Sequence, residues 1–149
     1  MEIQLRNGGL SMIKHGGMAV SSDIGARNNV HPPNKRDVCQ RLARWALKDV
    51  YGHAIVPSDP LVKRAVHRKV KLIVSFEYGK GLSTREGESI RGFSVDGKNP
   101  VGASIRKDAI VIPVSDTPEF LYYGWKPWTE ANLVNAEGLP ASTFNPSCS

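Results

Sequence analysis

The residue in this 149-residue chain best placed for acid–base chemistry is a histidine, His31, in the stretch Asn29-Val30-His31-Pro32. It falls in a polar loop after a short apolar run (Met18, Ala19, Val20) that ends in Asp23, and just before an amphipathic segment. An imidazole changes charge near neutral pH and can take a proton from a hydroxyl. In open α/β sheets, reacting groups gather just past the carboxyl ends of strands, which is where this loop would lie. A surface histidine that merely precedes a proline has the same sequence. Asp23, eight residues earlier, can reach back to orient the ring, or it can form a turn with Gly25. Asn28, three residues before His31, cannot carry the charge of a triad acid. Its backbone carbonyl could still accept the imidazole N–H.

A general base needs a hydroxyl to activate. Ser11, Ser21, Ser22, Ser83 and Ser104 are available, yet none sits in a G-x-S-x-G elbow. Ser11, in Gly8-Gly9-Leu10-Ser11-Met12, comes nearest to a nucleophile turn. The base is present without a recognisable nucleophile.

The elements that must position His31 follow from pattern. Residues 1–17 offer Ile3, Leu5, Leu10, Met12 and Ile13 for one helical turn and a linker, interrupted by Gly8-Gly9 and Gly16-Gly17. Met18–Ser22 reads as a short buried strand. From Asn34 the period becomes helical, with Asn34 as cap and Asp37 as an imperfect capping-box partner. Val38, Cys39, Leu42, Trp45, Ala46 and Val50 form an apolar face, with Arg36, Gln40, Arg41, Arg44 and Lys48 opposite. Gly52 supplies a left-handed stop.

His53–Pro60 reads as a connector, after which the period changes to two. Leu61–Val66 and Lys71–Phe76 suit a hairpin, followed by strands at Ile90–Val95, Val101–Ile105, Ala109–Val114 and Phe120–Trp125. Lys107-Asp108 marks a tight turn, and residues 132–149 look irregular. The expected division is therefore residues 1–52, a linker at 53–60, and a β-rich module at 61–149 resembling a small antiparallel sandwich.

The charge is +6, from 20 basic and 14 acidic residues, but the basic residues are scattered. The densest run is His67-Arg68-Lys69 with Lys71 beyond. That pattern suits a solvated basic surface better than a nucleic-acid partner, and it is compatible with an acidic sugar. No apolar run approaches the roughly 20 residues of a membrane span, and MEIQLRNGGLSMIKHGG has no signal-peptide h-region. Cys39 is expected as a buried thiol and Cys148 as a mobile one near the end. With no zinc-type spacing, neither a disulfide, a metal site nor a cofactor is expected. Tyr122, Tyr123, Trp125 and Trp128 crowd one strand end. They suit a sugar-stacking platform or, more simply, packing between the β module and its neighbour.

Gly17–Gly52 resembles the carboxyl-terminal catalytic block of the sialate O-acetylesterase family, carbohydrate esterases of the SGNH (GDSL-like) hydrolase superfamily. The carrying motifs are Asp23-Ile24-Gly25, His31-Pro32-Pro33-Asn34-Lys35 and Arg41-Leu42-Ala43-Arg44-Trp45-Ala46. Further matches are Pro57-Ser58-Asp59-Pro60-Leu61, Tyr123-Gly124-Trp125 and the run from Asn132 to Ser142. The resemblance implies α/β plus β architecture: the last strand and helix of an SGNH-type α/β hydrolase domain, then a small antiparallel β module. It implies His31 as the catalytic base of Ser-His ester hydrolysis, an O-acetylated sugar as substrate, and no cofactor. Asn28 stands where the superfamily often has Asp, so a loop carbonyl or Asp23 would orient His31. The family's Gly-Gln-Ser-Asn-like nucleophile block has no counterpart here. The chain is therefore expected to be the final part of such an enzyme, inactive alone, and to dimerise or need an amino-terminal portion.

Overall fold

The computed structural model describes residues 16–31 and 33–148. The helical turn expected within residues 1–15, and Ser11 with it, lie outside the described residues.

Helix α1 (Lys35–Asp49) begins as the sequence predicts. The Asn34 side chain accepts a hydrogen bond from the Asp37 backbone N–H at 3.1 Å, and its amide donates to the Asp37 carboxylate at 2.8 Å. The cap therefore satisfies an end donor and fixes the acidic side chain at the helix's positive end. At the other end Gly52 has φ +70°, and the N–H groups of Gly52 and His53 donate back to Lys48 and Leu47.

Eight strands follow: β1 (Leu61–Arg68), β2 (Lys71–Glu77), β3 (Ser83–Thr84), β4 (Phe93–Ser94), β5 (Ser104–Arg106), β6 (Ala109–Pro113), β7 (Tyr122–Tyr123) and β8 (Leu133–Val134). The main sheet is antiparallel in the order β1-β2-β6-β5. Its β1–β2 hairpin turns at Lys69, and its β5–β6 hairpin at Lys107, both with positive φ. Two-stranded ribbons, β3–β8 and β4–β7, complete the β structure. Leu72 and Val74 of β2 and Ile110 and Ile112 of β6 are fully buried. They share one core with Phe93, Tyr123, Leu133 and Phe144 from the ribbons and the chain end. The alternation that marked these strands as half-buried thus points its apolar side at a single core.

Two expectations need correction. Met18–Ser22 is not a strand. Its carbonyls are instead taken by helix side chains, Met18 O by the Trp45 indole at 2.9 Å and Val20 O by Arg41 at 2.6 Å. The strands expected at Ile90–Val95 and Phe120–Trp125 shrink to two residues each, because the ladder between them holds only the Phe93–Tyr123 and Ser94–Tyr122 pairs. Residues 133–148 are irregular apart from β8, as expected, yet they build core: Leu133, Leu139, Ala141 and Phe144 are buried.

Asn135 shows how such irregular chain can be buried at acceptable cost. Its amide donates to Ser58 O and Tyr78 O, and its carbonyl accepts from the N–H groups of Glu137 and Leu139. One side chain thus satisfies four backbone groups that burial would otherwise leave unpaired. Asn132 does similar work between Ser89 and Arg91. The expected linker is drawn into this structure, since Pro57, Ser58, Asp59 and Pro60 are all buried.

Candidate active site

The geometry around His31 is set by how α1 rests on the β module, and that differs from the amphipathic reading. Arg44 donates to Val56 O at 2.8 Å and pairs with Glu137 at 2.6 Å. Trp45 meets Tyr78 edge to face at 6.1 Å between ring centroids, and the Lys48 ammonium lies 5.4 Å from the same ring's centroid. The helix therefore docks through Arg41, Arg44, Trp45 and Lys48, most of which were expected on the outer face. The expected inner face is largely open: Leu42 is 46% exposed and Val50 64%, and Cys39 is an exposed free thiol. Long arginine and lysine stems supply apolar contact while their heads find carbonyls and rings, which a binary polar pattern does not reveal.

Segment 16–23 lies along this helix. Gly17 passes so close to Trp45 that a Cβ there would overlap the indole, and Val20 is 4% exposed. Asp23 follows as an ion-pair hub. Its two oxygens accept from Arg41 at 2.6 and 2.8 Å, and Arg85, in the single 3-10 turn of the β module, adds a third bond at 2.9 Å. The Asp23 side chain is 7% exposed. Burial alone would push its carboxyl up. The Arg41 hydrogen bonds and the charges of Arg41 and Arg85 outweigh that and hold it below the usual carboxylate value. The Asp23 hydrogen bond in turn raises the Arg41 guanidinium against its own desolvation.

Asp23 sits inside a tight turn closed by Ile24 N–H to Ser21 O, and a second turn follows, closed by Asn29 N–H to Ala26 O. The Asn29 side chain then accepts from the His31 N–H at 2.9 Å, forming an Asx turn that presents His31 at the head of α1. His31 is exposed, and among the described residues no hydrogen bond reaches its ring. Asn28 is exposed in the same loop. Asp23 is anchored to arginines, and no hydrogen bond joins it to His31. The structure therefore brings His31 and Asn28 onto one loop and gives Asp23 the task of pinning that loop to both the helix and the β module.

Sequence reasoning missed Arg41 and Arg85 because an ion pair across 62 residues, as between Asp23 and Arg85, leaves no periodic signal. The aromatic cluster is divided. Tyr123 is core, 1% exposed, and its hydroxyl accepts from Leu133 N–H at 2.9 Å. Trp125 and Trp128 are 37% and 44% exposed. Cys148 is not loose either: its N–H donates to Glu119 O, and its half-buried thiol is pushed up by desolvation.

No protein-family model matches the sequence, and no curated protein does. Among solved structures, the chain is similar to a carbohydrate acetylesterase from Xanthomonas citri, at 36% identity with a TM-score of 0.75. The relationship is to a carbohydrate esterase. The match covers 84% of this chain and 31% of that one, so the chain spans about a third of the length of the protein it resembles.

Proposed function

We propose that this chain is the histidine-bearing part of a carbohydrate O-acetylesterase of the sialate O-acetylesterase type, within the SGNH class. The observation that carries the reading is the likeness to a carbohydrate acetylesterase over 84% of the chain, a span long enough to take in the loop and helix that present His31. His31 acts as general base on a serine hydroxyl supplied from outside these 149 residues. The serine oxygen attacks the acetyl carbon, and the imidazolium returns its proton to the departing sugar oxygen. Water, deprotonated by the same ring, then releases acetate from the acyl-serine. The reaction so written uses no metal or organic cofactor. A carbonyl of the loop around Asn28 orients the ring, while Asp23 holds the loop in place.

The open face of α1 supports this division. Leu42 and Leu47 of α1, with Val50 and Tyr51 just past its end, are exposed, while Arg44 and Trp45 on the other side of the helix contact the β module and the chain leading into it. The serine-bearing portion would cover them, as exposed apolar stripes of this kind mark contact surfaces.

The test is complementation in trans. The chain alone should not turn over 4-nitrophenyl acetate or acetylated sugars. Mixed with the portion of a carbohydrate acetylesterase lying outside the matched third, it should release acetate, and His31→Ala should abolish the release. Complemented activity indifferent to His31→Ala would overturn the role of His31. Turnover by the chain alone would overturn the division of the site.

A further inference from the structure

A groove of about 550 Å³ crosses the β module and begins at the His31 loop, where Arg27 forms part of its wall. Trp125, Trp128 and Tyr122 line it, with the Tyr122 and Trp125 ring centroids 6.4 Å apart. Both indoles are partly exposed, and they line one depression rather than scattering over the surface. Grouped exposed aromatics of this kind mark a binding site more often than chance exposure does.

The charge of the groove is one-sided. Arg27, Arg91, Lys98 and Lys126 line it against a single acidic side chain, Glu130. Arg91 is already paired with Glu88. The side chains of Arg27, Lys98 and Lys126 have no hydrogen-bond or ion-pair partner among the described residues. Lys98 is also held in place. The Asp96 carboxylate accepts from the N–H groups of Lys98 and Asn99, both at 2.8 Å, and these bonds hold it far below the usual carboxylate range. That turn presents Lys98 on a fixed backbone beside Gly97, which takes the left-handed φ of +74° that the turn requires.

We propose that this groove binds an anionic oligosaccharide, with pyranose faces stacked on Trp125 and Trp128 and sugar carboxylates met by Lys98, Lys126 and Arg27. The apolar C–H face of a pyranose suits an indole. Ammonium and guanidinium groups form short, charge-assisted hydrogen bonds to carboxylates, stronger than those between neutral groups. The assignment goes beyond the esterase reading, because Trp125, Trp128, Lys98 and Lys126 take no part in the His31 chemistry. It extends the chain's role from holding a base to holding the sugar polymer.

The test measures binding and needs no turnover, so it stands or falls independently of esterase activity. Intrinsic fluorescence of the full chain is followed during titration with oligogalacturonate, a neutral xylo-oligosaccharide of equal length, and single-stranded RNA. Oligogalacturonate should give a saturable change, with the neutral sugar binding about ten-fold more weakly or worse. Trp125→Ala and Trp128→Ala should each weaken binding about ten-fold while keeping a cooperative thermal transition, since both side chains lie outside the buried core. Lys98→Gln with Lys126→Gln should bring the anionic sugar down to the neutral one and remove the salt dependence. Val50→Ser, on the distant helix face, should change nothing. Equal binding of the two sugars would overturn the anionic assignment, and so would tighter binding of RNA. Indifference to both tryptophan substitutions, or the lack of any saturable response, would overturn the groove as the site.

Discussion

The Asp23→Asn substitution tests the hub beneath the His31 loop. It removes the charge but keeps the shape, and one carbonyl oxygen remains to accept from Arg41. Two short charge-assisted bonds to Arg41 and one to Arg85 are weakened or lost. Arg41, with its side chain 13% exposed, is left with its head buried beside a neutral partner. Breaking a well-buried pair costs about 3–5 kcal/mol, and a charged hydrogen bond is worth about 1.5–3 kcal/mol. The retained Asn contact and the Val20 carbonyl bring the expected loss to about 2–3 kcal/mol. At about 2–4 °C per kcal/mol for a chain of this size, Tm should fall by roughly 5–10 °C. Arg85→Gln should cost below about 1 kcal/mol, because its side chain is 42% exposed and screened by solvent. Thermal denaturation gives the two losses, and amide exchange across Lys35–Asp49 shows whether the helix loosens. An Asp23→Asn variant melting within about 1 °C of the parent would refute the buried-hub account. So would a larger cost from Arg85→Gln than from Asp23→Asn.

Asn135→Ala should destabilise by about 3 kcal/mol, since four backbone partners lose their bonds in a buried site, and denaturant unfolding measures it. The hub's contribution should be pH-dependent in one direction. The folded Asp23 value lies below its ordinary 3.8, so this stabilisation is present above pH 3.8 and lost as pH falls through the lower folded value. Melting curves at descending pH should show a step that Asp23→Asn lacks. At the alkaline end, burial raises the Tyr123 hydroxyl above its ordinary 10.0. Stability tied to it is therefore present below pH 10.0 and lost as pH climbs toward the raised value, a loss that Tyr123→Phe should not show. Leu42→Asp with Val50→Asp should leave Tm nearly unchanged and reduce self-association in sedimentation, because both side chains face solvent.

The most legible parts of the fold were those where one local rule acts alone. The Asn34 cap, the Gly52 stop and the β1–β2 hairpin follow from neighbours a few residues apart. What the pattern misjudged depended on partners far along the chain. Arg41, Arg44 and Lys48 look like a solvated face until Asp23, Val56 and Tyr78 are brought to them. The strand expected at Met18–Ser22 was apolar enough, but helix side chains claimed its carbonyls. The burial of residues 132–135 and 139–142 rests on Asn132 and Asn135, whose amides replace a sheet ladder that no alternation could signal. At the candidate site, the placement of His31 in a loop ahead of the helix was readable from the sequence, whereas the ion pair of Asp23 needed Arg85, which lies beyond α1 and the β1–β2 hairpin.

The open face of α1 also bears on how long the molecule lasts in a cell. Leu42, Leu47, Val50 and Tyr51 form the kind of surface that chaperones grip and proteases sort by. With that face covered, the chain would pass as a finished protein; uncovered, it would be triaged however well its β core is folded. Its abundance should then track the supply of whatever covers the helix, and a pulse-chase half-life would report that supply more directly than any melting temperature.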